Sequence, residues 1–208
     1  MPRLIHYHAP QTRSSSILWL LEELGAERET RLLNLKKGEN KEGWYLKINP
    51  MGKVPAITHG GVPVTEAPAI AMYLADALPA AKLSPDVMDT ARGTYLRWLV
   101  FNAACVEPAM IDRAMKREGG SSAMLPYGDT DTTIDALASA LAKGPYILGE
   151  TFSAADIIIG STARWMLMFK LLPERPEFTG YVARLLERPA LKRAMAMDEQ
   201  YAAQFLAS

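Results

Sequence analysis

The chain has 208 residues, of which 49% are hydrophobic and 22% are charged. At roughly 150 residues per domain, this length predicts one large domain or two small ones, with enough apolar side chain for a packed core. Lys plus Arg and Asp plus Glu both number 23, so the formal net charge is zero. Because no basic excess is available to hold a polyanion, nucleic acids and acidic membrane surfaces are excluded as expected partners.

The single cysteine, Cys105, excludes an internal disulfide and a cysteine-based metal site, and it favours a reducing, cytoplasmic setting. The amino-terminal residues lack the unbroken apolar core of an export signal. No apolar run approaches the ~18 residues that a membrane helix needs. The three histidines, His6, His8 and His59, lack the spacing of a metal site, so we expect no metal.

The first eighty residues alternate strand-like and helix-like patterns. A β-prone run at 3–8 is followed by helical spacing of apolar residues over 14–24, which Gly25 ends. A second β-prone run covers 28–35, and a brief helical pattern appears at 44–46. This order predicts β-α-β-α in outline.

A hairpin and a further helix complete this part of the chain. Gly60-Gly61 separates strand candidates at 54–57 and 62–64, which is typical of a tight β-turn. A helix is then predicted over 65–78, with its proline in the first turn, where the missing N–H costs nothing.

Beyond a predicted linker at 80–85, only helical patterns are found. We therefore predict an α/β domain at 1–79 and an all-α domain at 86–208. The first helix of the second domain is predicted over 90–105, with a kink where a proline follows at 107–108.

The clearest local signal in the helical half lies at 152–157. Ser153 is predicted to cap a helix, and Asp156, three residues later, to accept the N–H of the capping residue. Phe152 and Ile157 are placed to form a hydrophobic staple around this box. The helix that follows is apolar almost all round, which predicts that it crosses the interior of the helical domain.

Hydroxyl side chains cluster at the turn between the first strand and the first helix. Tyr7, Thr12 and Ser14 lie around a helix N-terminus, where unpaired N–H groups and the helix dipole favour an anion. A thiolate is one such anion, because a hydroxyl donor and a helix N-terminus both stabilise the ionised thiol. The alternative is that Thr12 or Ser14 only caps the helix, the usual role of hydroxyl residues there.

Two other segments have a pattern suited to a peptide ligand. If Pro55 is cis, Val54 presents its backbone N–H and C=O to an extended peptide; an ordinary trans proline is the alternative. Glu66 and the Ala67 N–H stand at a helix N-terminus, where they are able to hold the two ends of an amino-acid zwitterion. The alternative is a glutamate placed favourably against the helix dipole.

The order of these motifs resembles the cytosolic glutathione transferase family, with its bacterial theta-like and beta-like members. The segments that carry the resemblance are ILWLLEELG, NPMGKVPAI, TEAPAIAMYL and GPYILGETFSAADI, and together they cover nearly the whole chain. The resemblance implies a thioredoxin-like N-terminal domain that binds glutathione and an all-helical C-terminal domain that supplies the second-substrate pocket. It also implies a homodimer.

Carried over residue by residue, the resemblance implies seven glutathione-binding residues: Asn40, Lys41, Lys53, Val54, Pro55, Glu66 and Ala67. Val54 pairs through its backbone with the cysteinyl unit, and Pro55 is the cis proline. Glu66 and the Ala67 backbone bind the γ-glutamyl group. The three remaining residues reach the glycyl carboxylate.

For the hydroxyl that activates the thiol, the resemblance ranks Thr12 first, Tyr7 second and Ser14 third. Three departures from the family pattern stand out. Ala67 replaces the usual serine after the glutamate, and no cysteine follows the first strand, which argues against the members that exchange disulfides. The turn at 11–13 reads QTR, where the maleylacetoacetate isomerase branch has Ser-Ser-Cys.

The function implied is that of a glutathione transferase active in detoxification. Glutathione is the co-substrate, and its thiolate attacks an electrophilic, mostly apolar small molecule. Two alternatives stay open: a non-catalytic glutathione-binding or protein-interaction member of the same fold, and a glutathione-dependent peroxidase or reductase.

Overall fold

The computed structural model describes residues 2–117 and 120–206. Its internal contacts divide the chain into two units: unit 1 runs up to Ala81 and resumes at Arg188, and unit 2 is Lys82–Glu187. In the part of the chain that is described, no helix is both long enough and apolar enough to cross a bilayer.

The elements of unit 1 before the helical unit are β1 (Leu4–His8), α1 (Ser14–Leu24), β2 (Glu29–Leu32), α2 (Gly43–Leu46), β3 (Ala56–His59), β4 (Val62–Thr65) and α3 (Ala67–Ala77). Unit 2 contains α4 (Ala91–Phe101), α5 (Glu107–Ala114), α6 (Thr130–Leu141), α7 (Ala154–Met168) and α8 (Pro176–Leu186), and α9 (Pro189–Leu206) returns to unit 1.

Unit 1 is built on a four-stranded sheet in the order β2-β1-β3-β4. β1 is parallel to β2 and antiparallel to β3, and β3 pairs antiparallel with β4 across the Gly60-Gly61 turn. A parallel β-α-β unit followed by a hairpin and a helix is the thioredoxin-like arrangement. The predicted fold class, α/β followed by all-α, is confirmed.

The local signals at α1 also hold in the structure. The helix has the predicted bounds, and Gly25 follows it in the left-handed conformation with φ 60°. The Gly25 N–H donates to the Glu22 carbonyl, and the Ala26 N–H donates to the Leu21 carbonyl. A residue without a Cβ reaches this conformation at no steric cost, which is why glycine ends the helix.

β1 sends its side chains alternately to two layers. Ile5 and Tyr7 pack into a core cluster with Leu33, Tyr45 and Ala56. The two β1 histidines, His6 and His8, point instead towards α1, where both rings approach Ser14. One strand therefore supplies both an apolar core and a buried polar cluster.

Salt bridges join α9 and the residue directly before it to α1. The Arg188 guanidinium donates to both Glu23 carboxylate oxygens, at 2.6 and 2.8 Å, and Arg193 Nε donates to Glu22 at 2.8 Å. Composition grouped this helix with the helical domain at 86–208, whereas its contacts group it with unit 1. The difference arises because side chains distant in sequence, rather than helical pattern, decide where α9 packs.

The segment after α4 differs from a simple kink. Asn102–Val106 forms a π-helical turn that leads directly into α5. The Glu107 N–H donates to the Asn102 carbonyl, five residues earlier. Pro108 has no N–H, and its ring clashes with the carbonyl four residues before it, so a wider turn accommodates it.

The capping box predicted at the start of α7 is present. The Ser153 N–H donates to Asp156 Oδ2 at 2.9 Å, and the Ser153 side chain and the helix backbone complete the box. Asp156 is fully buried and also accepts from the Ile147 N–H at 2.7 Å and the Tyr181 hydroxyl at 2.9 Å. Most residues of α7 are buried, as its apolar sequence predicted.

Candidate functional site

The strand register brings the three predicted segments to one end of the sheet. Tyr7, near the end of β1, pairs with Ala56 at the start of β3, and Ala56 pairs with Thr65 at the end of β4. The turn that follows β1, the Val54-Pro55 segment that precedes β3 and Glu66 after β4 consequently lie at the same edge. Segments far apart in the sequence thus converge on one region of unit 1.

Thr12 holds the turn between β1 and α1. Its hydroxyl donates to the Ala9 carbonyl at 2.7 Å and accepts the Ser14 N–H at 3.1 Å. The amides of Ser15 and Ser16 donate to carbonyls of the same turn. The sequence led us to expect free amides at this helix start, but the amides of Ser14, Ser15 and Ser16 are paired. The Thr12 N–H has no partner among the described residues.

Ser14 lies inside unit 1. Its side chain is fully buried, and its Oγ is 2.9 Å from both His6 Nε2 and His8 Nδ1. A hydroxyl enclosed in this way does not face a ligand at the surface. The two imidazoles therefore explain Ser14 without a catalytic role.

The buried His6 should make stability depend on pH near neutrality. Burial, reinforced by the nearby His8 and Arg28, lowers the pKa of His6 well below 6.5. The unfolded chain then binds a proton that the folded chain does not, so stability is fully present above pH 6.5 and decreases below it. We expect urea unfolding to show a loss of about 1 kcal/mol between about pH 6.5 and 5.5 from this residue alone.

The matched variants are His6→Gln, which should remove that part of the pH dependence, and His59→Gln, which should retain it. His59 is only partly buried and contacts the Tyr73 hydroxyl. Equal pH dependence in the wild type and His6→Gln would contradict this assignment.

Tyr7 has a buried ring and a hydroxyl that is available for hydrogen bonding. The side chain is only 3% exposed and packs against the rings of Tyr45 and Trp44, with centroids 5.7 and 6.2 Å away. Its hydroxyl forms no hydrogen bond with another described residue. Unlike that of Thr12, the Tyr7 hydroxyl proton is available to an external acceptor.

The backbone before β3 is fixed from both sides. The Val54–Pro55 peptide bond is cis, the isomer that the resemblance implied. Just before it, the Lys53 carbonyl accepts the Tyr45 hydroxyl at 2.6 Å and the Asn49 amide at 2.8 Å. Burial raises the pKa of Tyr45, so its hydroxyl stays protonated and continues to donate.

Asn40 and Lys41 support the preceding turn. The Asn40 amide donates to the Gly52 carbonyl at 2.7 Å, and Lys41 Nζ donates to the Met51 carbonyl at 3.2 Å. Gly52 has φ +59°, and a Cβ there would lie 2.7 Å from the Asn40 carbonyl oxygen. The ammonium of the exposed Lys53, by contrast, has no partner among the described residues.

Glu66 has an unusual backbone conformation directly before α3. Its φ is 68° and its ψ is 117°, a region that non-glycine residues rarely occupy. The side chain is exposed, and its carboxylate is unpaired within the described part of the chain. Strained residues of this kind cluster at binding and catalytic sites, so Glu66 is a functional candidate on geometric grounds alone.

Comparison with known proteins agrees with this geometry. Residues 2–76 match the family model of the glutathione S-transferase N-terminal domain, and residues 128–195 match that of the C-terminal domain. The chain belongs to the glutathione S-transferase family. The two matches follow one another in the order of the α/β and helical units.

Several relatives of this family cover most of the chain. Glutathione S-transferase A of Pleuronectes platessa is 28% identical over 85% of this chain and 83% of its own length. A disulfide-bond oxidoreductase of Escherichia coli is 28% identical over 91% of this chain and 93% of its own. A sphingomonad glutathione S-transferase solved in complex with glutathione has a TM-score of 0.77 and 26% identity, covering 94% of this chain and 98% of that one.

One residue at the site of this glutathione S-transferase was not singled out by the sequence. Asp198 on α9 contacts His8, Gln11 and Ser15 through its carboxylate. It lies beyond both segments matched by the family models. No local pattern marks Asp198, because all three partners are more than 180 residues earlier in the sequence.

Proposed function

We propose that this protein binds glutathione in unit 1 and joins the sulfur of the intact tripeptide to an electrophilic carbon of a mostly apolar small molecule. The observation that carries the proposal is the exposed carboxylate of Glu66, which has no partner among the described residues and is held in a strained conformation directly before α3. A protein that gained nothing from this geometry would lose stability by keeping it.

Glutathione has groups that match the residues at this edge of the sheet. In our proposal the Glu66 carboxylate binds the ammonium of the γ-glutamyl unit, and the Ala67 N–H donates to the α-carboxylate of the same unit. The Val54 backbone pairs with the cysteinyl unit. The exposed Lys53 takes the glycyl carboxylate, while Asn40 and Lys41 support that end by fixing the turn at 51–52.

Catalysis would depend on the ionised thiol. A hydroxyl donor beside the sulfur stabilises the thiolate, and the thiol proton leaves to solvent. The thiolate then forms a carbon–sulfur bond with the electrophile, whose leaving group departs with its bonding electron pair. Holding both reactants together supplies the rest of the rate gain, and we assign the second substrate to side chains of unit 2.

The proposal is tested by the thiolate absorbance of bound glutathione. We expect the bound thiol of the wild type to ionise below the ordinary pKa of about 8.5. Thr12→Ala should raise the pKa of the bound thiol by about one unit, because the turn loses the hydroxyl that bonds both Ala9 and Ser14. Thr12→Ser, which keeps the hydroxyl, should resemble the wild type.

The Tyr7→Phe variant separates the two hydroxyl candidates. If Tyr7→Phe raises the pKa of the bound thiol and Thr12→Ala does not, Tyr7 is the donor, in agreement with its uncommitted hydroxyl. Binding without any thiolate signal in the wild type would favour the non-catalytic alternative. Failure to bind glutathione at all would overturn the proposed function.

Disulfide reduction is a second candidate function, favoured by the similarity to a disulfide-bond oxidoreductase over 91% of the chain. The only cysteine, Cys105, is in unit 2, so both thiols of the reaction would come from glutathione. The first thiolate attacks a disulfide sulfur and releases one substrate thiolate. A second glutathione thiolate attacks the mixed disulfide, which yields oxidised glutathione and releases the other substrate thiolate. Turnover of a low-molecular-weight disulfide, compared with that of an activated aryl halide, distinguishes reduction from conjugation.

The role in detoxification, the assembly into a homodimer and the cytoplasmic location stay predictions from the sequence. Sedimentation of the purified protein tests the dimer. A panel of aryl halides, epoxides and peroxides tests the substrate class.

A further inference from the structure

The carboxylate of Asp198 accepts hydrogen bonds from residues near the start of the sequence. The Gln11 N–H donates to its Oδ2 at 3.0 Å, and the Ser15 hydroxyl donates to its Oδ1 at 2.9 Å. His8 Nε2 lies 2.9 Å from Oδ1. The Asp198 side chain is only 14% exposed, so these partners replace most of its water.

Asp198 is therefore an internal anion at the start of α1. Burial raises the pKa of its carboxyl, but the contacts with His8, Gln11 and Ser15 outweigh burial and hold this pKa below its ordinary value. The carboxylate is ionised near neutral pH, and its negative charge complements the positive end of the helix dipole. The anion that the sequence led us to expect at this helix start is thus supplied partly by the protein itself.

The contact with Gln11 concerns the residue next to Thr12. Gln11 has φ +56°, in the left-handed region that residues other than glycine rarely adopt. Its N–H is held by Asp198. Because Thr12 follows directly, the position of its amide and hydroxyl depends on how Gln11 is held.

The same carboxylate orders a chain of buried polar groups. A carboxylate near His8 Nε2 favours the proton on that nitrogen, which leaves Nδ1 to accept the Ser14 hydroxyl. The Ser14 Oγ is then free to accept the His6 Nε2–H. The end of β1, the turn and the start of α1 are consequently linked to one side chain on α9.

We propose that Asp198 is a positioning residue for the turn at 9–13, through which it favours the thiolate of bound glutathione. The inference rests on the proposed function and adds a residue outside the matched family segments. Two effects of Asp198 on the thiol oppose each other. Its charge repels a thiolate, whereas its hydrogen bonds hold the groups that stabilise one, and in our proposal positioning outweighs repulsion.

The direction in which the pKa of the bound thiol changes in one variant separates these two effects. Asp198→Asn keeps the size of the side chain and removes the charge and one acceptor. We expect the pKa of the bound thiol to rise by about one unit, which lowers the thiolate fraction about tenfold at pH values well below that pKa. The affinity for S-methylglutathione, which has no ionisable thiol, should change less than about threefold.

Glu199→Gln is the matched control. Glu199 is adjacent on α9, exposed and without a partner among the described residues, so the same loss of charge should leave both readouts unchanged. If Asp198→Asn does not fold, Ser15→Ala removes one of the three contacts and should lower the thiolate fraction in the same direction.

Three results would overturn the inference. A lower or unchanged pKa of the bound thiol in Asp198→Asn means that charge repulsion dominates or that the turn does not depend on Asp198. An equal loss of affinity for S-methylglutathione means that Asp198 only supports the fold. A wild type that binds no glutathione would overturn the proposed function and this inference together. That outcome is distinguishable, because glutathione binding by the wild type is measured before any variant.

Discussion

Asp156→Ala is expected to lower the free energy of unfolding by about 4 kcal/mol, because it removes the acceptor of several buried donors. The N–H groups of Ile147 and Ser153 and the hydroxyl of Tyr181 all donate to this carboxylate. Each donor left unsatisfied costs about 1–3 kcal/mol. Domains are stable by only about 5–15 kcal/mol, so urea unfolding should show a greatly shifted midpoint.

Two further variants define the origin of this loss. Tyr181→Phe removes one of the donors and should cost about 1 kcal/mol. Asp135→Ala breaks an exposed ion pair with Arg175 and should cost less than about 1 kcal/mol. If Asp156→Ala is no more destabilising than Asp135→Ala, the buried network does not hold the helical unit together.

At Glu66, we expect stability and binding to change in opposite directions. Glu66→Gly removes the strain of the positive φ and should raise the free energy of unfolding by about 1 kcal/mol, since relief of strain exceeds the entropic cost of glycine. The same variant loses the carboxylate that we assign to the γ-glutamyl ammonium. Its Kd for glutathione should rise roughly 30-fold, which corresponds to about 2 kcal/mol for a hydrogen bond to a charged group.

Glu66→Gln separates charge from strain. It keeps the backbone conformation, so its stability should match that of the wild type while its affinity falls as in Glu66→Gly. Glu27→Gln, an exposed glutamate of unit 1 without a partner among the described residues, should change neither quantity. Unchanged glutathione affinity in Glu66→Gln, measured by calorimetry, would remove Glu66 from the binding site.

The buried histidines and Asp198 suggest why α9 belongs with unit 1. Arg193 of α9 and Arg188 directly before it form salt bridges near the end of α1, whereas Asp198 acts at the start of α1. α9 therefore contacts α1 along most of its length. If the turn at 9–13 is the thiolate site, the last helix of the chain fixes the geometry of its first functional segment.

The elements that the sequence by itself determined are those governed by near neighbours. The bounds of α1, its ending at Gly25, the hairpin at Gly60-Gly61 and the Ser153 capping box each follow from side chains within a few residues of one another. The glutathione-binding candidates followed from a resemblance in the order of such motifs, and the strand register brings their segments to one edge of the sheet.

Only the tertiary structure decided which hydroxyls are available and where α9 packs. Ser14 is enclosed by two histidines that alternate with Tyr7 along β1, and the Thr12 hydroxyl is bonded to Ala9. The Thr12 bond spans only three residues and is local, whereas no local rule predicts that two histidines enclose Ser14. Asp198 meets its partners across more than 180 residues, and a contact over that distance is set by how helices pack rather than by any sequence pattern near either end.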